Sequence, residues 1–221
     1  MKTISILIGL TVAIGALSAC KPEAKTTTTE STTETSTTTT TTTTATDTAT
    51  SASKEPGVDY MTRDVDTNIK EGNQALQDKQ FDKAERIFLA ALAQCDLYPK
   101  QEARQGAILN NLAAIYEEKE MYAQAVPLLN KAQKLFIRAF GRKNKTVYIT
   151  LGNLGRVLSK QHRWEEAANV YQTAVSLMSE DSAAMKSAEY KDMVTKCQEA
   201  WSKGGNAFKS NKMAERLKTI K

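Results

Sequence analysis

The chain has 221 residues, 41% hydrophobic and 25% charged, with 30 Lys and Arg against 25 Asp and Glu. That length allows one ordinary domain with appendages, and the interspersed charges describe a solvated surface, not the one-sided basic face of a nucleic-acid binder. The cysteines Cys20, Cys95 and Cys197 form no CxxC and no metal-ligand spacing, so neither a metal nor another cofactor is expected.

At the start, Lys2 supplies a positive charge, Ile4 to Leu17 form an uncharged apolar run, and Leu17-Ser18-Ala19-Cys20 close it with small residues. The run is shorter than the roughly 20 residues a membrane span needs. Residues 1–19 therefore read as a signal peptide. Leu-Ser-Ala-Cys resembles the lipobox of bacterial lipoproteins. The resemblance implies that the Cys20 thiol takes a diacylglycerol and that Cys20 becomes the acylated first residue of the mature protein. At about 0.8 kcal/mol per buried methylene, two or three acyl chains hold stably where one holds marginally. Lys21 stands where Gram-negative lipoproteins kept in the inner membrane tend to carry aspartate. The resemblance thus implies an outer-membrane anchor facing the periplasm, or the outer face of the plasma membrane in a Gram-positive cell.

Residues 20–59 follow as a lipidated cysteine and a linker. Between Thr26 and Thr50, 18 of 25 positions are threonine, and only Glu30, Glu34 and Asp47 are charged. So little apolar surface cannot offset the entropy of ordering, and the segment is expected to be a disordered tether. Its contour is at most about 130 Å, with a coil average of about 35 Å. An O-glycosylated stalk is the alternative for a threonine-rich segment.

Residues 60–203 change to Ala, Leu, Lys, Glu and Gln with apolar side chains at helical spacing. Three stretches fall into register: NIKEGNQALQDKQFDKAERIFLAAL from 68, LNNLAAIYEEKEMYAQAVPLLNKAQ from 109 and LGNLGRVLSKQHRWEEAANVYQTAV from 151. Each places a small residue (Gly72, Ala113, Gly155), then an aromatic (Phe81, Tyr122, Trp164), an alanine (Ala84, Ala125, Ala167) and a large side chain (Phe88, Leu129, Tyr171). Small and large residues in fixed order are what stacked helical pairs require. The pattern resembles the tetratricopeptide repeat, in the longer form of kinesin light chains, over about residues 65–180. The resemblance implies an all-α fold, an α-α superhelix of three repeats. One further helix, about Ala183–Ser202, is expected as a cap or as the first helix of a degenerate fourth repeat with Cys197 at the small position. Residues 204–221 read as a basic, frayed surface tail. Contact with anionic lipid through Phe208, Met213, Leu217 and Ile220 is its alternative.

Arrays of this family line a concave groove with their first helices, and the resemblance makes Asn73, Asn110, Asn111, Glu117, Asn153, Arg156 and Lys160 the groove-facing candidates. A carboxamide has one acceptor and two donors, so such asparagines either hold a peptide backbone or bond the neighbouring helix. Ile69 and Ile149 replace the lysines of a terminal-carboxylate clamp, which is therefore not expected. No HExxH, phosphate loop or nucleophile elbow is present, and His162, the single histidine, falls in a turn. The expectation is a non-catalytic, membrane-anchored adaptor that binds another protein or peptide, with no nucleic acid and no evident small-molecule substrate. A pilotin-like lipoprotein for an outer-membrane secretin or pilus, or an activator of a cell-wall enzyme, are the alternatives.

Overall fold

A computed structural model describes residues 59–220. The expected signal peptide, Cys20 and the threonine-rich linker lie outside the described residues. A short 3-10 turn, Tyr60–Thr62, leads into nine helices: α1 Val65–Gln77, α2 Phe81–Asp96, α3 Glu102–Glu118, α4 Tyr122–Phe140, α5 Lys145–Lys160, α6 Trp164–Ser179, α7 Ser182–Met185, α8 Ala188–Lys203 and α9 Ala207–Thr219. Among the described residues no strand occurs, and α1/α2, α3/α4, α5/α6 and α8/α9 are hairpins, each packed on the next. The all-α superhelix expected from the sequence is the fold observed.

Every hairpin turns in the same way. Lys79, Glu120, His162 and Gly205 adopt left-handed backbone (φ 58°, 58°, 60° and 77°), at intervals of 41, 42 and 43 residues. The following N–H reaches back five residues in each case: Gln80 to Ala75, Met121 to Tyr116, Arg163 to Leu158 and Asn206 to Trp201, at 2.8, 2.7, 3.0 and 2.9 Å. The left-handed residue itself donates to the carbonyl three back, so two otherwise unpaired carbonyls of the first helix are satisfied. The geometry closes α1, α3, α5 and α8 without any special side chain. After this turn α2, α4 and α6 begin with no side-chain cap, whereas Asn206 Oδ1 caps α9 by accepting from Lys209 N at 3.0 Å. His162 is thus a turn residue, beside Trp164 with ring centroids 5.4 Å apart.

Packing inside the hairpins follows the small-and-large order. A Cβ at Gly72 would lie 2.7 Å from the Phe88 ring, and one at Gly155 would lie 2.5 Å from the Tyr171 ring. In the second hairpin Ala113 and Leu129 both belong to the larger apolar cluster and are almost fully buried. Cys95 and Cys197 are buried, and burial pushes each thiol up to about 11, so they pack as small apolar residues.

The C-terminal end differs from the sequence expectation. Residues 183–202 are not one helix: α7 is a separate short turn, and α8 starts at Ala188. The expected frayed tail is α9, the second helix of a fourth hairpin. Its Ser210 and Met213 are buried, and Leu217 and Ile220 pack on the larger cluster. Three of the four apolar residues proposed as a lipid-contacting edge therefore face the protein interior. Two of its basic residues lie against rings of α8. Lys209 sits 3.9 Å over the Trp201 ring, and Arg216 Nε donates to the Tyr190 hydroxyl at 2.6 Å. Because the last turn interval is 43 residues, Gln198 and not Cys197 takes the small position of this hairpin. There Gln198 donates to Ser210 Oγ at 3.1 Å, so a hydrogen bond replaces the ring packing. The outer face of α9 carries Asn211, Lys212, Glu215 and Lys218, all exposed, which gives the array its polar cap.

Alternating helix directions define two edges. One edge holds the four hairpin turns. The other holds the connections between hairpins: 97–101, 141–144 and 180–187. The chain enters at this second edge, where Gln94 near the end of α2 donates through Nε2 to the carbonyls of Tyr60, Met61 and Arg63 at 3.3, 2.8 and 2.6 Å. Asn68, fully buried, adds bonds to the Tyr60 carbonyl and to Gln94 Oε1 at 2.7 and 2.9 Å. Buried carboxamides thus fix the entry segment by supplying partners to backbone carbonyls that the fold removes from water.

Candidate functional site

The first helices α3, α5 and α8 line a concave groove of about 520 Å³. On α5, Tyr148, Ile149, Gly152, Asn153 and Arg156 share this face at helical spacing. Met178 of α6, Ala183 and Ala184 of α7 and Met193 of α8 complete an apolar floor and wall. The groove stays open at Gly152 because only the Met193 methyl reaches across, 3.0 Å from where a Cβ would stand.

Four of the seven expected residues line the groove: Asn110, Asn111, Asn153 and Arg156. The asparagines bond one another between helices. Asn111 Nδ2 donates to Asn73 Oδ1 at 2.6 Å, joining α3 to α1, and Asn153 Nδ2 donates to Asn110 Oδ1 at 3.0 Å, joining α5 to α3. Of the two readings left open for these side chains, bonding to the neighbouring helix is what the structure displays. Asn73 and Glu117 stand behind the groove as partners of lining residues, and Lys160 lies outside its lining. Sequence reasoning missed Tyr148, Ile149, Gly152 and Met193. Ile149 and Gly152 were readable, standing four residues before Asn153 and Arg156 respectively, whereas nothing marked α7 as a wall.

Every cation in the lining is paired: Arg156 with Glu117, Lys145 with Glu189 at 2.8 Å and Lys196 with Asp192 at 2.6 Å. Asp181 is occupied in capping α7, accepting from Ala183 N at 2.9 Å. Glu117 is nearly buried, and burial raises its carboxyl above the usual carboxylate range, opposed by the charge of Arg156. The Tyr148 hydroxyl is buried with no hydrogen-bond partner among the described residues, and burial raises its pKa. The site is therefore apolar and charge-balanced, with spare hydrogen-bonding capacity on carboxamides and one phenol. Among the described residues, no group of His, Cys, Asp and Glu could hold a metal, and no helix is long and apolar enough to cross a membrane.

A solenoid of helical hairpins with a concave groove built on the first helices is the tetratricopeptide architecture. Residues 104–180 match the tetratricopeptide repeat family model, which covers the second and third hairpins. Solved structures share the fold, among them the following three. BtubC (BKLC) from P. vanneervenii superposes with a TM-score of 0.64 at 18% identity, over 70% of this chain and 61% of that one. This chain thus spans less than two thirds of BtubC. A kinesin light chain of nearly identical TPR-like repeats from Podosopora anserina gives 0.60 at 14% identity, over 71% and 77%. MamA of AMB-1 gives 0.53 at 18% identity, over 74% and 82%. No curated protein matches the sequence.

Proposed function

We propose that this protein is a lipid-anchored adaptor of the bacterial cell envelope whose groove binds a segment of another protein. The observation that carries the groove reading is its composition. An apolar floor of Tyr148, Ile149, Met178 and Met193, lined by paired charges, suits an uncharged peptide segment better than a terminal carboxylate. The lipid anchor rests on the Leu-Ser-Ala-Cys sequence alone. A non-catalytic role rests on the likeness of residues 104–180 to the tetratricopeptide repeat family.

Replacing the asparagines would confuse binding with stacking, since Asn111 and Asn153 bond neighbouring helices. Gly152→Gln is the cleaner test, because only the flexible Met193 side chain stands near its Cβ position. The expected result is an unchanged thermal midpoint with loss of the protein that crosslinks to wild type in native membranes. Capture at the wild-type level would place the partner elsewhere. For the anchor, Cys20→Ser is expected to move the protein from the membrane to the soluble fraction. A variant that stays with the membrane through detergent phase separation would refute lipidation at this residue.

A further inference from the structure

We infer that α7 is a hinged strap over the groove and that the Tyr148 hydroxyl is the hydrogen-bonding group it covers. The other hairpins are joined by connections of five and four residues, 97–101 and 141–144, whereas 180–187 has eight and carries α7 into the groove wall. None of Ser182–Met185 is buried. Among the described residues, every hydrogen bond of residues 182–186 stays within 181–187. Ala183 N and Ala184 N donate to Asp181 Oδ1 at 2.9 and 3.3 Å, Met185 N donates to the Asp181 carbonyl at 2.9 Å, and Ser187 Oγ donates to the Ala184 carbonyl at 2.7 Å. The strap therefore swings as a unit without stranding a backbone group.

Little holds it down. Ala184 packs on the larger apolar cluster, and two ion pairs flank the strap: Lys143 with Glu180 at 3.2 Å and Lys145 with Glu189 at 2.8 Å. Both pairs reach from residues 143–145, where α5 begins, and all four side chains are exposed, so salt screens them. Tyr148 stands in the first turn of the same helix. It lines the groove yet is only 4% exposed, and its hydroxyl lacks a partner among the described residues. The charges that act on this phenol are those of Asp181 and Glu180, which places it at the leading end of the strap. A buried hydroxyl without a partner is costly, and lifting the strap relieves that cost by giving it water or a bound carbonyl. What opens beside Met178 and Met193 is an apolar recess with one phenolic donor. The movement needs no occupant, so it is testable apart from the groove reading.

The test is tyrosine nitration of the full chain by tetranitromethane, with each site followed by peptide mass analysis. Two tyrosines calibrate it: Tyr98, 62% exposed, and Tyr171, 3% exposed and enclosed by the larger apolar cluster. Tyr148 is as buried as Tyr171, yet it is expected to react at least about tenfold faster, because lifting a strap is easier than opening the core. Raising salt from about 0.05 to about 1 M is expected to speed Tyr148 about threefold and to leave Tyr171 within about twofold. The double variant Lys143→Gln, Lys145→Gln at low salt is expected to do the same. Lys196→Gln removes another pair of the groove lining, but one that lies within α8, and is expected to leave Tyr148 unchanged. Nitration of Tyr148 no faster than that of Tyr171 would overturn the inference. So would a Tyr148 rate indifferent to salt and to the double variant, or one raised equally by Lys196→Gln.

Discussion

Gly155→Leu is expected to lower the unfolding free energy by about 3 kcal/mol, read as a shift of the urea midpoint at constant slope. A Cβ at this position meets the Tyr171 ring at 2.5 Å, and that ring is 3% exposed, enclosed by the larger apolar cluster. The better helix propensity of leucine returns only about 0.8 kcal/mol, so overpacking decides the sign. Gly152, one turn earlier on the same helix, is the control. Its Cβ would meet only a methionine methyl, and Gly152→Ala is expected to be neutral or slightly stabilising. If Gly155→Leu unfolded no more easily than Gly152→Ala, the close approach of α5 to α6 would not be what closes the third hairpin.

Arg156→Ala is expected to destabilise by about 2 kcal/mol at neutral pH, because it leaves Glu117 nearly buried without its counter-charge. Burial already raises the Glu117 carboxyl, Glu118 adds to the rise, and Arg156 and Lys160 oppose it. Removing Arg156 raises it further. A carboxyl whose folded pKa lies above its unfolded value contributes its stability below the unfolded pKa and loses it as pH rises through the folded one. The deficit of the variant relative to wild type is therefore expected to be small at and below the ordinary glutamate pKa and to grow as pH rises above it. Adding Glu117→Gln should restore most of the loss and flatten the pH dependence. A deficit independent of pH would show that Arg156 acts through packing alone.

Much of the fold was legible because the hairpins are built by contacts of short sequence range. Gly72 with Phe88 and Gly155 with Tyr171 stand 16 residues apart in the chain, and the aromatic that opens each second helix marks the turn. The fourth hairpin was obscured because its small position holds Gln198, which bonds Ser210, and no aromatic opens α9. Helix α9 looked like a tail because its net charge hid Met213 and Leu217 at helical spacing; Lys209 and Arg216 lie on rings of α8, not in open water. The groove was half legible. Its carboxamides and Arg156 were visible at repeat positions, but that they bond across helices depends on a stacking angle that spacing alone does not encode.

The grip of Gln94 on the entry segment also has a mechanical meaning. Tension applied through the preceding chain would load the three carbonyls held by one carboxamide, at the outermost hairpin and on the opposite end of the array from α9. Those bonds would give way one after another, as in peeling, before α1, which carries the groove residue Leu76, is loaded. The entry segment is thereby a strain-relief element, able to yield to a tug while the helices that build the groove stay stacked.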